Sequence, residues 1–120
     1  MKIAVTSQGT SLDSPVDPQF GRCRYFVIVD DATGQVETVD NAANREALQG
    51  AGTQSARTLL DRGVQVVISG HVGPKAFSAL QTGGAQIFQG ASGSVREAIA
   101  AYKAGKLSAA SRPDAGGRWR

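Results

Sequence analysis

One cysteine, one histidine and one tryptophan occur in 120 residues. A single cysteine excludes an intramolecular disulfide, and Cys23 with His71 falls short of an ordinary zinc site or a four-cysteine iron–sulfur site within one chain. No apolar run approaches the ~18 residues that a membrane helix needs. The opening MKIAVTSQGT turns polar early and lacks the apolar core of a signal peptide. A free thiol without an export signal sets the expectation of a cytoplasmic protein with no membrane partner. There is no GxxxxGK[ST] phosphate loop, since SGHVGPK has the wrong spacing. Gly50-Ala51-Gly52 lacks the third glycine and the preceding strand of a dinucleotide fingerprint, and reads as the close-packed start of a helix. Ser7, Ser11, Ser14 and Ser94 have no recognisable histidine–acid relay, so no hydrolase triad is expected.

What is present fits one soluble domain. At this length a chain buries roughly two-thirds of its unfolded surface and needs no staples. The net charge is +3, but residues 103–120 carry +4 and residues 1–102 carry −1. The basic character belongs to the tail, which argues against a broad phosphate-binding face and a nucleic-acid partner. The expected organisation is a domain over residues 1–107 and a disordered basic tail over 108–120, rich in Ala, Ser, Gly and Arg.

Within the domain the order reads β-β-β-α-β-α-β-α. KIAVTS and RYFVIVD are strands, and DATG turns the second into a shorter, more exposed QVETVD. NAANREALQGAG reads as a polar connection, with a helix over about 53–62 whose inner face is Ala56, Leu59 and Leu60. VQVVIS is apolar enough for a central parallel strand. A helix from Pro74 to the Gly83 stop, the short strand AQIF, and a helix opened by a Ser94–Glu97 capping box complete the domain. The expected fold is α/β, with a mixed sheet in which the second strand alone runs antiparallel.

Ligands on such sheets bind beyond the carboxyl ends of the parallel strands. That edge should collect the ends of strands one, three, four and five, the start of strand two, and three helix N-termini with anion-attracting N–H groups. The candidate site is therefore Gly21, Arg22, Cys23 and Arg24, with Gly70, His71 and Gly73, and Ser92, Gly93 and Ser94. Arg22 and Arg24 would lower the pKa of Cys23 and make it a reactive thiol or metal ligand; a small buried residue at a strand start is the other reading. His71 is a metal ligand, proton donor or anion contact, or else an ordinary loop histidine. Asp30 and Asp31 fall at the opposite edge and read as turn residues.

DPQFGRCRYFVIVD, GAGTQSARTLLDRGVQVVISGHVGPKAFSAL and SGSVREAIAAYKAGKL together resemble the dinitrogenase iron–molybdenum cofactor biosynthesis family over residues 1–107. The resemblance implies a three-layer α/β/α, ribonuclease H-like fold with a mixed five-strand sheet. It implies a non-enzymatic carrier of an anionic metal–sulfide cluster that needs cations, backbone N–H donors and apolar walls more than a cage of cysteines. Arg22, Arg24 and the helix N-termini would supply these, with Cys23 and His71 as the candidate metal contacts and Cys23 otherwise packing beside the cluster. Members that bind the iron–molybdenum cofactor often carry histidine just before the FG of this loop, where this chain has Gln19. A molybdenum–copper sulfide cluster is therefore expected ahead of an iron–molybdenum or iron–sulfur one. A small anion- or nucleotide-binding regulatory module is the alternative, and the basic tail is a candidate contact for a protein partner.

Overall fold

The computed structural model describes residues 1–45 and 50–110. Strands β1 (Lys2–Ser7), β2 (Tyr25–Asp30) and β3 (Val36–Asp40) precede helices α1 (Ala42–Arg45) and α2 (Ala51–Asp61). β4 (Val64–Ile68), α3 (Pro74–Thr82), β5 (Gln86–Phe88) and α4 (Val95–Lys103) follow. The sheet order is β3-β2-β1-β4-β5. β2 is antiparallel to both its neighbours, while β1, β4 and β5 run parallel. The meander followed by a parallel α/β half is the arrangement that the strand patterns predict.

Successive strand side chains point to opposite faces, and both faces are covered. Ala4, Phe26, Ile28, Val67 and Ile87 pack with Ala56 and Leu59 of α2 and with Ala76, Phe77 and Leu80 of α3. On the other face Ile3, Val5, Val27, Val66, Ile68 and Phe88 pack with Val95, Ala98 and Ile99 of α4. This double burial explains why β4 reads as an almost continuous apolar run. It also completes the three-layer α/β/α architecture with one antiparallel strand.

Two elements depart from the sequence reading. α1 forms in the stretch expected to be irregular; the Ala42 N–H donates to Asp40 Oδ1 at 2.8 Å and the Arg45 N–H to the Asn41 carbonyl at 2.9 Å. α2 begins at Ala51, two residues before the expected start, and Gly52 lies in close packing as the reading of Gly50-Ala51-Gly52 expects. At the far edge of the sheet Ala109 bridges Phe88 in antiparallel fashion, and the Ala110 N–H donates to the Ile87 carbonyl at 2.7 Å. Residues 108–110 thus stay beside β5. Most of the tail expected to be disordered, residues 111–120, lies outside the described residues.

Asp30 and Asp31 are at the opposite edge, as expected, where both carboxylates face the N-terminal amine at 3.5 and 3.0 Å.

Candidate functional site

The carboxyl edge of the sheet gathers the loops as the topology requires, but it does not form one site. The segment Pro18–Phe20 crosses it and pairs with the turn after β4. The His71 N–H donates to the Pro18 carbonyl at 2.8 Å and the Phe20 N–H to the His71 carbonyl at 3.1 Å. Gly70 permits this approach, since a Cβ there would lie 2.4 Å from the Pro18 carbonyl oxygen. This strip separates two clefts, with Phe20 lining one and Pro18 the other.

The first cleft, of about 530 Å³, lies between the starts of α2 and α3. Its lining includes Gly50, Ala51, Gly52 and Thr53 from one helix and Gly73, Pro74, Lys75 and Ala76 from the other, with Phe20 and Arg22 beside them. Neither helix has a side-chain cap. The first bonds within the helices are donated by Gln54 to Gly50 and by Phe77 to Gly73. The N–H groups of Ala51, Gly52, Thr53, Lys75 and Ala76 therefore have no partner among the described residues. Pro74 has no N–H to leave unpaired. Two positive helix ends, Arg22 and Lys75 thus meet above an apolar floor of Phe20, Pro74 and Ala76.

The second cleft, of about 550 Å³, contains Ser92, Gly93 and Ser94 and borders Asp13, Pro15 and Glu97. Its helix end is closed, contrary to the expectation of three open N-termini. The Ser94 N–H donates to Glu97 Oε1 at 2.9 Å and the Glu97 N–H to Ser94 Oγ at 3.1 Å. The Val95 and Arg96 N–H groups donate to the carbonyls of Ser14 and Leu12 at 2.9 and 2.8 Å. The capping box that makes α4 legible also consumes the donors an anion would use. Two adjoining acidic residues further disfavour negative charge there.

The stretch Gly21–Arg24 is likewise divided. Arg22 reaches the first cleft and its Nη1 donates to the Arg45 carbonyl at 2.6 Å. Arg24 points elsewhere, with its Nε 3.7 Å from Asp40 Oδ1 and its guanidinium 5.0 Å above the Tyr25 ring. Gly21, named in the candidate site, lets a helix approach. It has φ +95°, and a Cβ there would lie 2.8 Å from Gly52 Cα.

Cys23 is fully buried, in the cluster with Phe20, Phe26 and Val39. The expectation that flanking arginines lower its pKa is reversed. Burial, reinforced by the negative charge of Asp17, pushes the thiol up to about 12. Sequence adjacency misleads here because the arginine side chains leave the chain in other directions while the sulfur enters the core. No sulfur is presented to either cleft, and no group of three or more histidine, cysteine or acidic side chains is placed to hold a metal ion among the described residues.

A raised thiol pKa makes stability fall with alkalinity, because the unfolded chain loses the proton first. The cysteine contribution should be intact below the ordinary value of 9.0 and diminish as pH rises from there toward about 12. Urea unfolding at pH 8 and pH 10 should show wild type losing up to ~1.4 kcal/mol per pH unit above that ordinary value relative to Cys23→Ala. Parallel curves for the two proteins would refute the buried-thiol account.

Sequence reasoning misses the roles of two groups. Lys75 was visible in GPKAF, but its place in the first turn of α3 needed the helix start to be located against α2. Asn41 is expected at this edge by its place at the end of the third strand, but no local pattern signals that it is buried and bonded to Ser55, the two being 1% and 0% exposed.

Residues 1–105 match the family described as dinitrogenase iron-molybdenum cofactor. The chain belongs to this family. Among its relatives, the apo orange protein of Desulfovibrio gigas is 43% identical and superposes with a TM-score of 0.92, covering 94% of this chain and 95% of that one. A NifB-like protein of Thermotoga is 34% identical with a TM-score of 0.80, over 90% and 91% of the two chains. An uncharacterized protein of Methanocaldococcus jannaschii is 34% identical over 89% of each chain. The dinitrogenase cofactor family thus accounts for the α/β domain as a whole, and the association is with metallocluster chemistry. No helix among the described residues is long and apolar enough to cross a membrane.

Proposed function

We propose that this protein is a non-enzymatic, cytoplasmic carrier of an anionic metal–sulfide cluster, held in the cleft between the starts of α2 and α3. The observation that carries the reading is the pairing of two uncapped helix N-termini with Arg22 and Lys75 in one cleft of about 530 Å³. That volume lies in the range of small-molecule sites. A cluster whose metals are already bridged by sulfide needs charge neutralisation, N–H donors and apolar walls rather than a cage of side-chain ligands. The described residues offer the first set and not the second. The chemistry favours molybdenum–copper sulfide over iron–molybdenum or iron–sulfur clusters that depend on histidine or cysteine ligation. Gln19 is exposed where a histidine would serve that purpose, and Cys23 is buried.

His71 lines neither cleft but pairs through its backbone with Pro18 and Phe20, and it is kept as a proposed cluster contact through Phe20, which does line the first cleft. Gly73 starts α3 within the cleft. Ser92, Gly93 and Ser94 are left out of the proposed site, because their helix end is closed. The basic tail remains the proposed contact for a protein partner, tested by deleting residues 111–120 and repeating a pull-down.

Apo-protein mixed with tetrathiomolybdate and copper should emerge from desalting with a protein-bound visible chromophore. Loss of all colour on desalting would sink the carrier reading. A thermal-shift screen decides the alternative of an anion- or nucleotide-binding module, since saturation at ~100 times Kd adds about 2.7 kcal/mol to stability. Stabilisation by nucleotides but not by thiomolybdate would favour that alternative.

A further inference from the structure

We infer that Asn41 is a positioning residue for the anion cleft, a buried joint that sets Arg22 against the start of α2; this rests on the carrier reading above. The Asn41 carboxamide is used on both sides. Its Nδ2 donates to the carbonyls of Gly21 and Cys23 at 3.1 and 3.0 Å, the two residues that flank Arg22. Its Oδ1 accepts from Asn44 Nδ2 at 2.9 Å and from Ser55 Oγ at 3.1 Å. The Asn41 backbone N–H donates to the Arg24 carbonyl at 2.9 Å, so the loop is held on each side of Arg22 by one residue.

The geometry links three parts of the cleft. Ser55 belongs to α2, one turn inside the helix start that lines the cleft, and its hydroxyl also lies 3.3 Å from the Gly21 carbonyl. Asn44 belongs to α1, whose last residue, Arg45, accepts the Arg22 guanidinium. Gly21 itself lies against Gly52. Asn41 therefore fixes both ends of Arg22: its backbone directly, and its side-chain partner through α1. Asparagine suits this task because one planar group supplies two donors and two acceptors at fixed angles. Aspartate would have no donor for the Gly21 and Cys23 carbonyls, and serine is too short to reach both. Buried polar groups left without partners are costly, so such a junction holds together or opens as a unit.

The test uses the full chain and the single cysteine as a reporter. Asn41→Ala and Ser55→Ala are compared with wild type in two measurements: the reaction rate of Cys23 with an aromatic disulfide reagent, and retention of the tetrathiomolybdate–copper chromophore through desalting. Ser55→Ala keeps a good helix former in α2 and supplies the folded variant should Asn41→Ala fail to fold. Both variants should label about tenfold faster, as expected for loss of a buried hydrogen bond, and retain less chromophore. In an Arg22→Ala background the same substitutions should cause no further loss of retention. An unchanged labelling rate overturns the inference, as does an equal loss of retention with and without Arg22, which would mark a role in general stability only. Wild type that retains no chromophore overturns the carrier reading instead, whereas equal retention by wild type and variants overturns only the positioning role.

Discussion

Arg22→Glu combined with Lys75→Glu is expected to abolish retention of the thiomolybdate–copper chromophore, while Arg24→Glu leaves it near wild type. The two reversed residues line one cleft, and Arg24 is engaged with Asp40 and Tyr25 outside it. Reversing two cations beside a multiply charged anion replaces two attractions with two repulsions. Each reversal removes an attraction and adds a repulsion, and the anion carries more than one charge, so each site counts for more than the ~0.2–1 kcal/mol of a single exposed pair. A combined loss of at least ~2.7 kcal/mol, or about 100-fold in affinity, is therefore expected. Titration of thiomolybdate and copper into each variant measures it directly. Wild-type affinity should also fall as salt rises from low to physiological ionic strength, because the cleft is open to solvent. Equal losses for the Arg22 and Arg24 single variants would relocate the site to the β2 start.

Gly21→Ala is expected to be among the most destabilising single substitutions in the chain. Two costs combine there. The backbone has φ +95°, which a side chain disfavours by roughly 1–2 kcal/mol. The new Cβ would also lie 2.8 Å from Gly52 Cα and 3.0 Å from the Gly52 nitrogen, backbone atoms that cannot rotate away. Overpacking of that kind typically adds ~1–3 kcal/mol. Against a total stability of about 5–15 kcal/mol the sum is a large fraction. Gly34→Ala is the control, since Gly34 has φ +78° but no atom within 4 Å of its added Cβ. It should show the conformational cost alone. Urea midpoints separate the two, and equal losses would mean that the Gly21–Gly52 contact is slack. Gly21→Ala should in addition weaken cluster retention, because forcing α2 away from the loop moves its open N–H groups from Arg22.

The strands, the later helices and the edge on which loops collect were all legible, because each depends on patterns only a few residues long. Alternation in β1, continuous burial in β4, Pro74 at the start of α3 and the Ser94–Glu97 box are local signals with local physical causes. The site was less legible. The capping box predicted α4 correctly, yet the same box occupies the donors that an open helix end would offer. The flanking arginines suggested an activated thiol at Cys23, yet burial outweighs them. α1 escaped notice because Ala42–Arg45 buries no residue and so carries no apolar face, and the start of α2 was displaced because glycine in a helix is normally a penalty. Here it allows close packing, since a Cβ at Gly52 would lie 3.0 Å from Ala76 Cβ and one at Gly21 would lie 2.8 Å from Gly52 Cα.

Sequence alone determined the α/β fold, the direction of each strand, the family, and the edge on which the loops collect. Hydrophobic periodicity and helix punctuation act within a few residues, so they survive in a linear reading. Only the tertiary structure decided that this edge holds two clefts, that Arg22 and Lys75 share one of them, and that Cys23 belongs to the core. Those outcomes turn on desolvation, on the directions in which side chains leave the backbone, and on contacts such as Asn41 with Gly21 and Ser55. They join segments far apart in the chain, where spacing along the sequence carries no information about distance.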